Sequence, residues 1–453
     1  MSAPRRAALG AALLLAAASC GGGDSGDAGS EPAAAQETAA WRHAGYDLGN
    51  SRAAAGETAI GPDTAADLSP RWELSDVLGV SGTPVVVDGI LYVGDWTGHV
   101  RALDAGDGTE VWDHAFGDQP VPGAVALDGE RVFAASASGE LRALDRASGD
   151  EQWTVRVDED PSAMVYGSPV HVGGRVVVGV ASDQELTGEP PTFRGSVVAY
   201  DAASGDEVWR YRTSDAAAGE GPGVGVWSSP AVDEEAGRLY IGTANNTAPP
   251  ASPRSDSVIA LDAGTGEQVW AVQLTAGDVA TTGDVGATPN LLTVGGVPAV
   301  GVGDKNGVYH VLDRASGAEL WAAQLTEGSL LGGVTGSAAV AGDTIFVASN
   351  RGGTTADLFA LGLDDGALRW QVPVGGAVSG SVSWANGVVY VSDSSGRVHG
   401  FDARSGDEVW SHELPATAAG GISVVDGMVY AGAGWWFGSE TPDIAGGLVA
   451  FGL

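Results

Sequence analysis

The sequence predicts an all-β protein: one ring of eight blades, each a short four-stranded sheet, with the last blade closed by a strand from near the N-terminus. Three observations carry this. An eleven-residue pattern ending in tryptophan recurs along the chain, and repeats spaced by roughly 40 to 60 residues denote an array or a closed ring instead of separate domains. A further alternating strand stands upstream of the copies. The two chain ends supply complementary parts of one more unit.

Reading from the start, Arg5-Arg6, an apolar run from Ala7 to Ala18 and then Ser19-Cys20 have the layout of an export signal. The run is shorter than the ~20 apolar residues that span a bilayer. Ala17-Ala18-Ser19-Cys20 resembles the lipobox of bacterial lipoproteins, which implies lipidation of Cys20 and anchoring to a membrane of the cell envelope; an ordinary secretory signal is the alternative. Residues 1–20 are thus read as signal, residues 21–40, rich in Gly, Ala, Ser, Asp and Glu, as a flexible tether, and residues 41–453 as one propeller. Cys20 is the only cysteine, so the mature domain has no disulfide and no cysteine metal site.

The repeat reads ALDAGDGTEVW from Ala102 to Trp112, ALDRASGDEQW from Ala143 to Trp153, AYDAASGDEVW from Ala199 to Trp209 and ALDAGTGEQVW from Ala260 to Trp270. VLDRASGAELW ends at Trp321, ALGLDDGALRW at Trp370 and GFDARSGDEVW at Trp410. Each copy is predicted to be a β-hairpin. The residues before Asp end one strand, the Gly supplies a positive-φ turn, and the next strand closes on Trp. Preceding strands are expected at Ile90–Gly94, Arg131–Ala135, Arg238–Gly242 and Val388–Val391. A buried indole of ~200 Å² at ~25 cal/mol per Å² contributes up to ~5 kcal/mol, so each Trp is an inter-blade dock. Leu448–Leu453 reads as an inner strand without a following hairpin partner, and Leu68–Leu74, with Trp72, as that partner. Seven whole blades and one split blade make eight, and closure removes exposed sheet edges.

Composition limits function. The 22 basic and 58 acidic residues give a formal net charge of −36, which repels a phosphate backbone and excludes nucleic acid as an expected partner. The seven histidines lack metalloprotease spacing, and no G-x-S-x-G or Walker loop is present. Asp104–Gly108 and its counterparts are turns and not twelve-residue calcium loops. Eight tryptophans belong to the blades, leaving Trp41, Trp96, Trp227, Trp384, Trp435 and Trp436 to be explained.

The irregular segments carry a resemblance. WRHAGYDLGNSR (residues 41–52), RVDEDPSAMVYGSP (156–169), TFRGSVVAYD (192–201), GVWSSPAVD (225–233), GTANN (242–246) and the closing WWFG are similar to the pyrroloquinoline quinone (PQQ)-dependent alcohol dehydrogenases. Within them the polyvinyl alcohol dehydrogenase-like group is closest, over residues 41 to 453. The resemblance implies that Trp227 is the platform for the planar quinone and that Glu185, Asn245 and Asp284 hold a calcium ion, whose hardness suits oxygen ligands. It further implies that Asp284 takes the alcohol proton as hydride passes to the quinone C5, that Lys305 stands beside the quinone oxygens, and that Ser182 and Asn350 donate to the cofactor. An ungapped alignment from Asp278 puts Thr281 where the acid belongs, so that register stays open. Lys305 can equally be a solvated turn residue, and Glu185 and Asn245 ordinary loop residues.

The chain departs from the family in three places. Pro190-Pro191 stands where a cysteine pair is usual, Thr335 stands where tryptophan is expected, and there is no C-x-x-C-H for haem. Without a haem motif a separate electron acceptor is expected; the resemblance implies a small or polymeric alcohol as substrate, and a monomeric state is expected. Two other readings of the ring stay open: a non-catalytic lipoprotein scaffold similar to the propeller of the outer-membrane assembly machinery, and a quinone-binding sensor or carrier.

Overall fold

The computed structural model describes residues 40–184, 191–277, 283–329, 331–434 and 446–453. Cys20, Glu185, Thr281, Trp435 and Trp436 lie outside the described residues. Eight sheets, antiparallel except where Ala53–Ala54 pairs in parallel with Trp384 and Ala385, follow one another along the chain, each built outward from a first strand whose neighbours are the first strands of adjacent sheets. Blade 1 runs Val85–Val87, Ile90–Gly94, His99–Asp104 and Glu110–Ala115. Blades 2 to 7 repeat this order, starting at Ala126, Val170, Ala231, Asn290, Ala339 and Ser383. The expected second strands are found with the anticipated limits, except that the one beginning at Val388 continues to Asp393.

Blade 8 is split as expected. Ile422–Val425, Met428–Ala433 and Gly446–Gly452 come from the C-terminal part, and Ser69–Val77 is its outer strand. That strand pairs antiparallel with Gly446–Gly452, matching Ser69 to Gly452 and Trp72 to Ala450.

The repeat hairpins dock the blades to one another. Trp112 Nε1 donates to Arg146 O of the next blade at 2.9 Å, Trp209 to Ala263 O at 3.2 Å and Trp370 to Ala403 O at 3.0 Å. Trp72, Trp153, Trp270 and Trp321 make the same bond. Gly266 shows why the turn needs glycine: its φ is +72°, and a Cβ there would lie 2.5 Å from the Trp209 ring. Trp410, facing the split blade, packs edge-on against Phe451 with centroids 5.0 Å apart.

Two further features shape the axis. Residues 41–54 cross one end of it and tie five blades together. Trp41 exchanges backbone hydrogen bonds with Val86, while the carbonyls of Leu48, Gly49, Ser51 and Arg52 accept from Val232, Leu291, Val340 and Trp384. Tyr46, Asn50 and Arg52 all have positive φ, a strained route for non-glycine backbone that these bonds hold in place. A cavity of about 200 Å³ lies between this plug and Trp227. Around it, the short steps before the first strands place a hydroxyl on each of five consecutive blades. Ser168, Ser229, Thr288, Ser337 and Ser381 each accept, at 2.8–3.2 Å, the backbone N–H of the preceding blade.

Candidate functional site

Four of the residues expected in the site converge at the end of the axis opposite the plug. Trp227 precedes the first strand of blade 4, Ala231–Asp233, and Asn245 follows its second, Arg238–Gly242. Asp284 precedes blade 5, and Lys305 follows that blade's second strand, Val297–Gly303. Equivalent loops of neighbouring blades therefore supply all four, as side chains at strand ends around an axis must.

Asp284 is the hub. It is buried at 4% exposure, with Oδ1 accepting the Asn245 backbone N–H at 2.9 Å and Oδ2 accepting Lys305 Nζ at 2.5 Å. Lys305 N also donates to Asp284 O at 3.0 Å, so backbone and side chain fix one relative placement. Lys305 Nζ stands 5.5 Å from the Trp227 ring centroid, within cation–π range. The indole can lie there because residue 286 is glycine. A Cβ at Gly286 would fall 1.7 Å from the Trp227 ring.

Asn245 supplies the most informative atom. Its Nδ2 donates to Asn246 O at 2.7 Å, but its Oδ1 is buried without a hydrogen-bond partner among the described residues. A buried carbonyl oxygen left unsatisfied costs about 1–3 kcal/mol, and here it belongs to a residue whose backbone N–H is bonded to the Asp284 carboxylate. An orphaned neutral oxygen on a residue bonded to Asp284 is the donor chemistry a hard cation such as calcium takes, so these residues fit the metal that the family resemblance implies. No cluster of three or more His, Cys, Asp or Glu suited to a metal occurs among the described residues. A donor set of carboxylate and amide together is what the family resemblance implies, and its third member, Glu185, lies outside the described residues.

Ser182 and Asn350 are placed differently. Ser182 ends the strand Arg175–Ser182 and pairs with Ala163. Asn350 is buried with both amide atoms engaged: Nδ2 donates to Val378 O at 2.9 Å and to Thr335 Oγ1 at 3.3 Å, and Oδ1 accepts the Val378 N–H at 2.8 Å. Its carbonyl accepts the Gly333 N–H, in the loop that packs on the Lys305 turn.

The other described tryptophans resolve as well. Trp41 anchors the plug, Trp96 Nε1 donates to Ser81 Oγ at 2.8 Å in the cavity wall, and Trp384 sits in the first strand of blade 7. Sequence reasoning missed Gly286, Arg52 and the hydroxyl ring. The recurring small-hydroxyl steps Gly167-Ser168-Pro169, Ser228-Ser229-Pro230 and Ala287-Thr288-Pro289 were the available signal for the ring.

The ring and its loops define a class, the eight-bladed quinoprotein alcohol dehydrogenase-type propeller. The crystal structure of quinohemoprotein alcohol dehydrogenase ADHIIG from Pseudomonas putida HK5 matches with a TM-score of 0.79 at 22% identity, covering 92% of this chain and 81% of that one. A profile described as glucose/ethanol/alcohol dehydrogenase, beta-propeller domain, matches residues 158–327, and one described as outer membrane protein assembly factor BamB matches residues 304–451. Polyvinylalcohol dehydrogenase of Sphingopyxis sp. (strain 113P3) is 30% identical over 84% of this chain and 67% of its own length. The corresponding Pseudomonas sp. protein is 28% identical over 85% of this chain and 69% of its own. The chain belongs to the PQQ-dependent alcohol dehydrogenase family, in its polyvinyl alcohol dehydrogenase-like group.

Proposed function

We propose that the chain is a quinoprotein dehydrogenase that oxidises an alcohol at the mouth formed by blades 4 and 5, and passes the electrons to a separate acceptor. The observation that carries this is the buried Asp284–Lys305 pair together with the unsatisfied Asn245 oxygen and the Trp227 indole, a set that blade packing does not require. When bound, PQQ supplies a two-electron acceptor that no side chain can provide. Trp227 offers it a flat apolar face, and Lys305 Nζ places positive charge next to that face. Asn245 Oδ1, Asp284 and Glu185 are the proposed calcium ligands, and Ser182 and Asn350 the proposed hydrogen-bonding partners of the cofactor. The amide of Asn350 orders Val378 and Thr335, so its contribution includes shaping the wall.

Asp284 is the proposed base. Its two oxygens are oriented from opposite sides by the Asn245 N–H and the Lys305 ammonium, which presents one fixed carboxylate edge to a hydroxyl proton. The names of the relatives support a small or polymeric alcohol as substrate. We further propose export with the signal at residues 1–20, a lipid on Cys20, a tether over residues 21–40 and a monomeric propeller. No helix among the described residues is long and apolar enough to cross a membrane.

The test is reconstitution of the purified chain with PQQ and calcium, followed by dye reduction with a panel of primary, secondary and polymeric alcohols. Turnover dependent on both additions is expected. Asp284→Asn should lower it by at least about 100-fold while the quinone still binds; retained turnover would reassign the base. The BamB-type match over residues 304–451 favours a second reading, a protein-binding scaffold. Absence of any PQQ-dependent absorbance change or thermal shift would select it.

A further inference from the structure

The cavity between Trp227 and the plug is separate from the alcohol site. Trp227 lines it, whereas Asn245, Asp284 and Lys305 do not, so the indole stands between the two. Its wall is polar in one particular sense. Ser168, Ser229, Thr288, Ser337 and Ser381 use their oxygens to accept backbone N–H groups, and none of the five hydroxyls has an acceptor for its own proton among the described residues. Ser228 Oγ, also in the wall, is buried without any hydrogen-bond partner among the described residues.

The charge in this wall has the complementary sign. Arg52 is 3% exposed and donates only to neutral groups: Val382 O and Ala44 O at 2.8 Å, Thr83 Oγ1 at 3.3 Å and Ser383 Oγ at 3.4 Å. It has no ion pair with a carboxylate among the described residues. Burial pulls its pKa down to about 9, which leaves it cationic at neutral pH. The acid in the wall, Asp47, is turned to its own loop, where Oδ1 and Oδ2 accept Ser51 N–H and Oγ–H at 3.0 and 2.5 Å. Burial holds His43 neutral, with a pKa of about 4. This buried guanidinium has its N–H groups bonded to neutral oxygens but no counter-charge, and it stands in a wall of hydroxyls whose own protons are unspent.

We propose that this chamber binds a small monovalent inorganic anion, of halide or nitrate size, between Arg52 and the ring of hydroxyls. One guanidinium balances one negative charge, and a cavity of about 200 Å³ suits an ion of that size with a few waters. The anion completes the plug by neutralising the charge that pins it, so it stabilises the closed ring.

The experiment uses the full chain without quinone or calcium, so its outcome is independent of the dehydrogenase reading. Chloride, bromide and nitrate are titrated at constant ionic strength against gluconate, which is too bulky to enter, and the melting temperature is followed. A hyperbolic rise with the small anions is expected, together with an anomalous bromide peak in the chamber within hydrogen-bonding distance of Arg52 or the hydroxyls. Arg52→Gln should abolish the rise. Because that variant also loosens the plug, Ser228→Ala serves as the second: it should melt as wild type in gluconate and require several-fold more bromide for the same shift. Absence of a small-anion effect, bromide located only elsewhere, or a response undiminished in Ser228→Ala would each overturn the proposal.

Discussion

Asn245 shows how one atom can report a function that hydrogen bonding within the chain does not explain. Its Oδ1 has given up water without receiving a protein donor among the described residues, while its backbone N–H is spent on Asp284. Asn245→Ala is therefore expected to cost little fold stability, since it removes an unsatisfied group, yet to raise the calcium needed for half-maximal quinone loading by about tenfold or more. Melting curves and metal titrations of the same preparation check both halves. The sequence identified this residue type and position only through family resemblance, because an isolated Asn in a loop has no spacing signature. Asn350 illustrates the converse. Its two-sided amide bridge to Val378, 28 residues away in sequence, follows from how blades 6 and 7 abut and cannot be inferred from its neighbours along the chain.

At the scale of the hairpin, the repeat encodes both its own turn and its dock on the preceding blade. Substituting Gly219, which has φ +79° and open space where a Cβ would stand, by Ala should cost about 1–2 kcal/mol from the backbone alone. Gly266→Ala should cost more, because the added methyl also strikes the Trp209 ring. Trp209→Ala should cost about 3–5 kcal/mol, and urea unfolding of the three variants gives the order. The blades also carry acid–imidazole–acid bridges invisible to pattern reading. His399 bonds Asp393 Oδ2 at 3.2 Å and Glu408 Oε1 at 2.9 Å, and His310 sits likewise between Asp304 and Glu319. Burial alone would lower both imidazoles, but the paired carboxylates outweigh it and raise them, and the same contacts hold Asp393 below its usual range. The His399 contribution is full below an unfolded pKa of about 6.5 and is lost as pH rises through the higher folded value. That of Asp393 is full above about 4 and is lost on acidification. His399→Gln should thus be most destabilising, by about 1.5–3 kcal/mol, near pH 5.5, with the gap to wild type narrowing by pH 8.5 in urea titrations.

For the molecule as a whole, the ring was legible because its repeats, its indoles and its two half-blades are local patterns, each consistent with the same closure. The plug was not, although its residues stood out as a motif. Nothing in WRHAGYDLGNSR states that three non-glycine residues take left-handed backbone, since only contacts with five distant blades make that route favourable. A chain shortened to begin at Val85 lacks both the plug and the outer strand Ser69–Val77. It is expected to lose cooperative thermal unfolding, and a peptide spanning residues 41–80 added in trans should restore it; circular dichroism melts read both outcomes.

The split blade has a location as well as a topology. Trp227, Asn245, Asp284 and Lys305 belong to blades 4 and 5, and blade 4 stands half a turn around the ring from blade 8. The residues packed at this clasp, Phe451, Trp410 and Trp72, therefore lie on the far rim from the acid and the indole. The clasp of the circle and the candidate site thus occupy opposite poles, so a substitution that loosens the clasp should leave the alignment of Trp227, Asp284 and Lys305 intact.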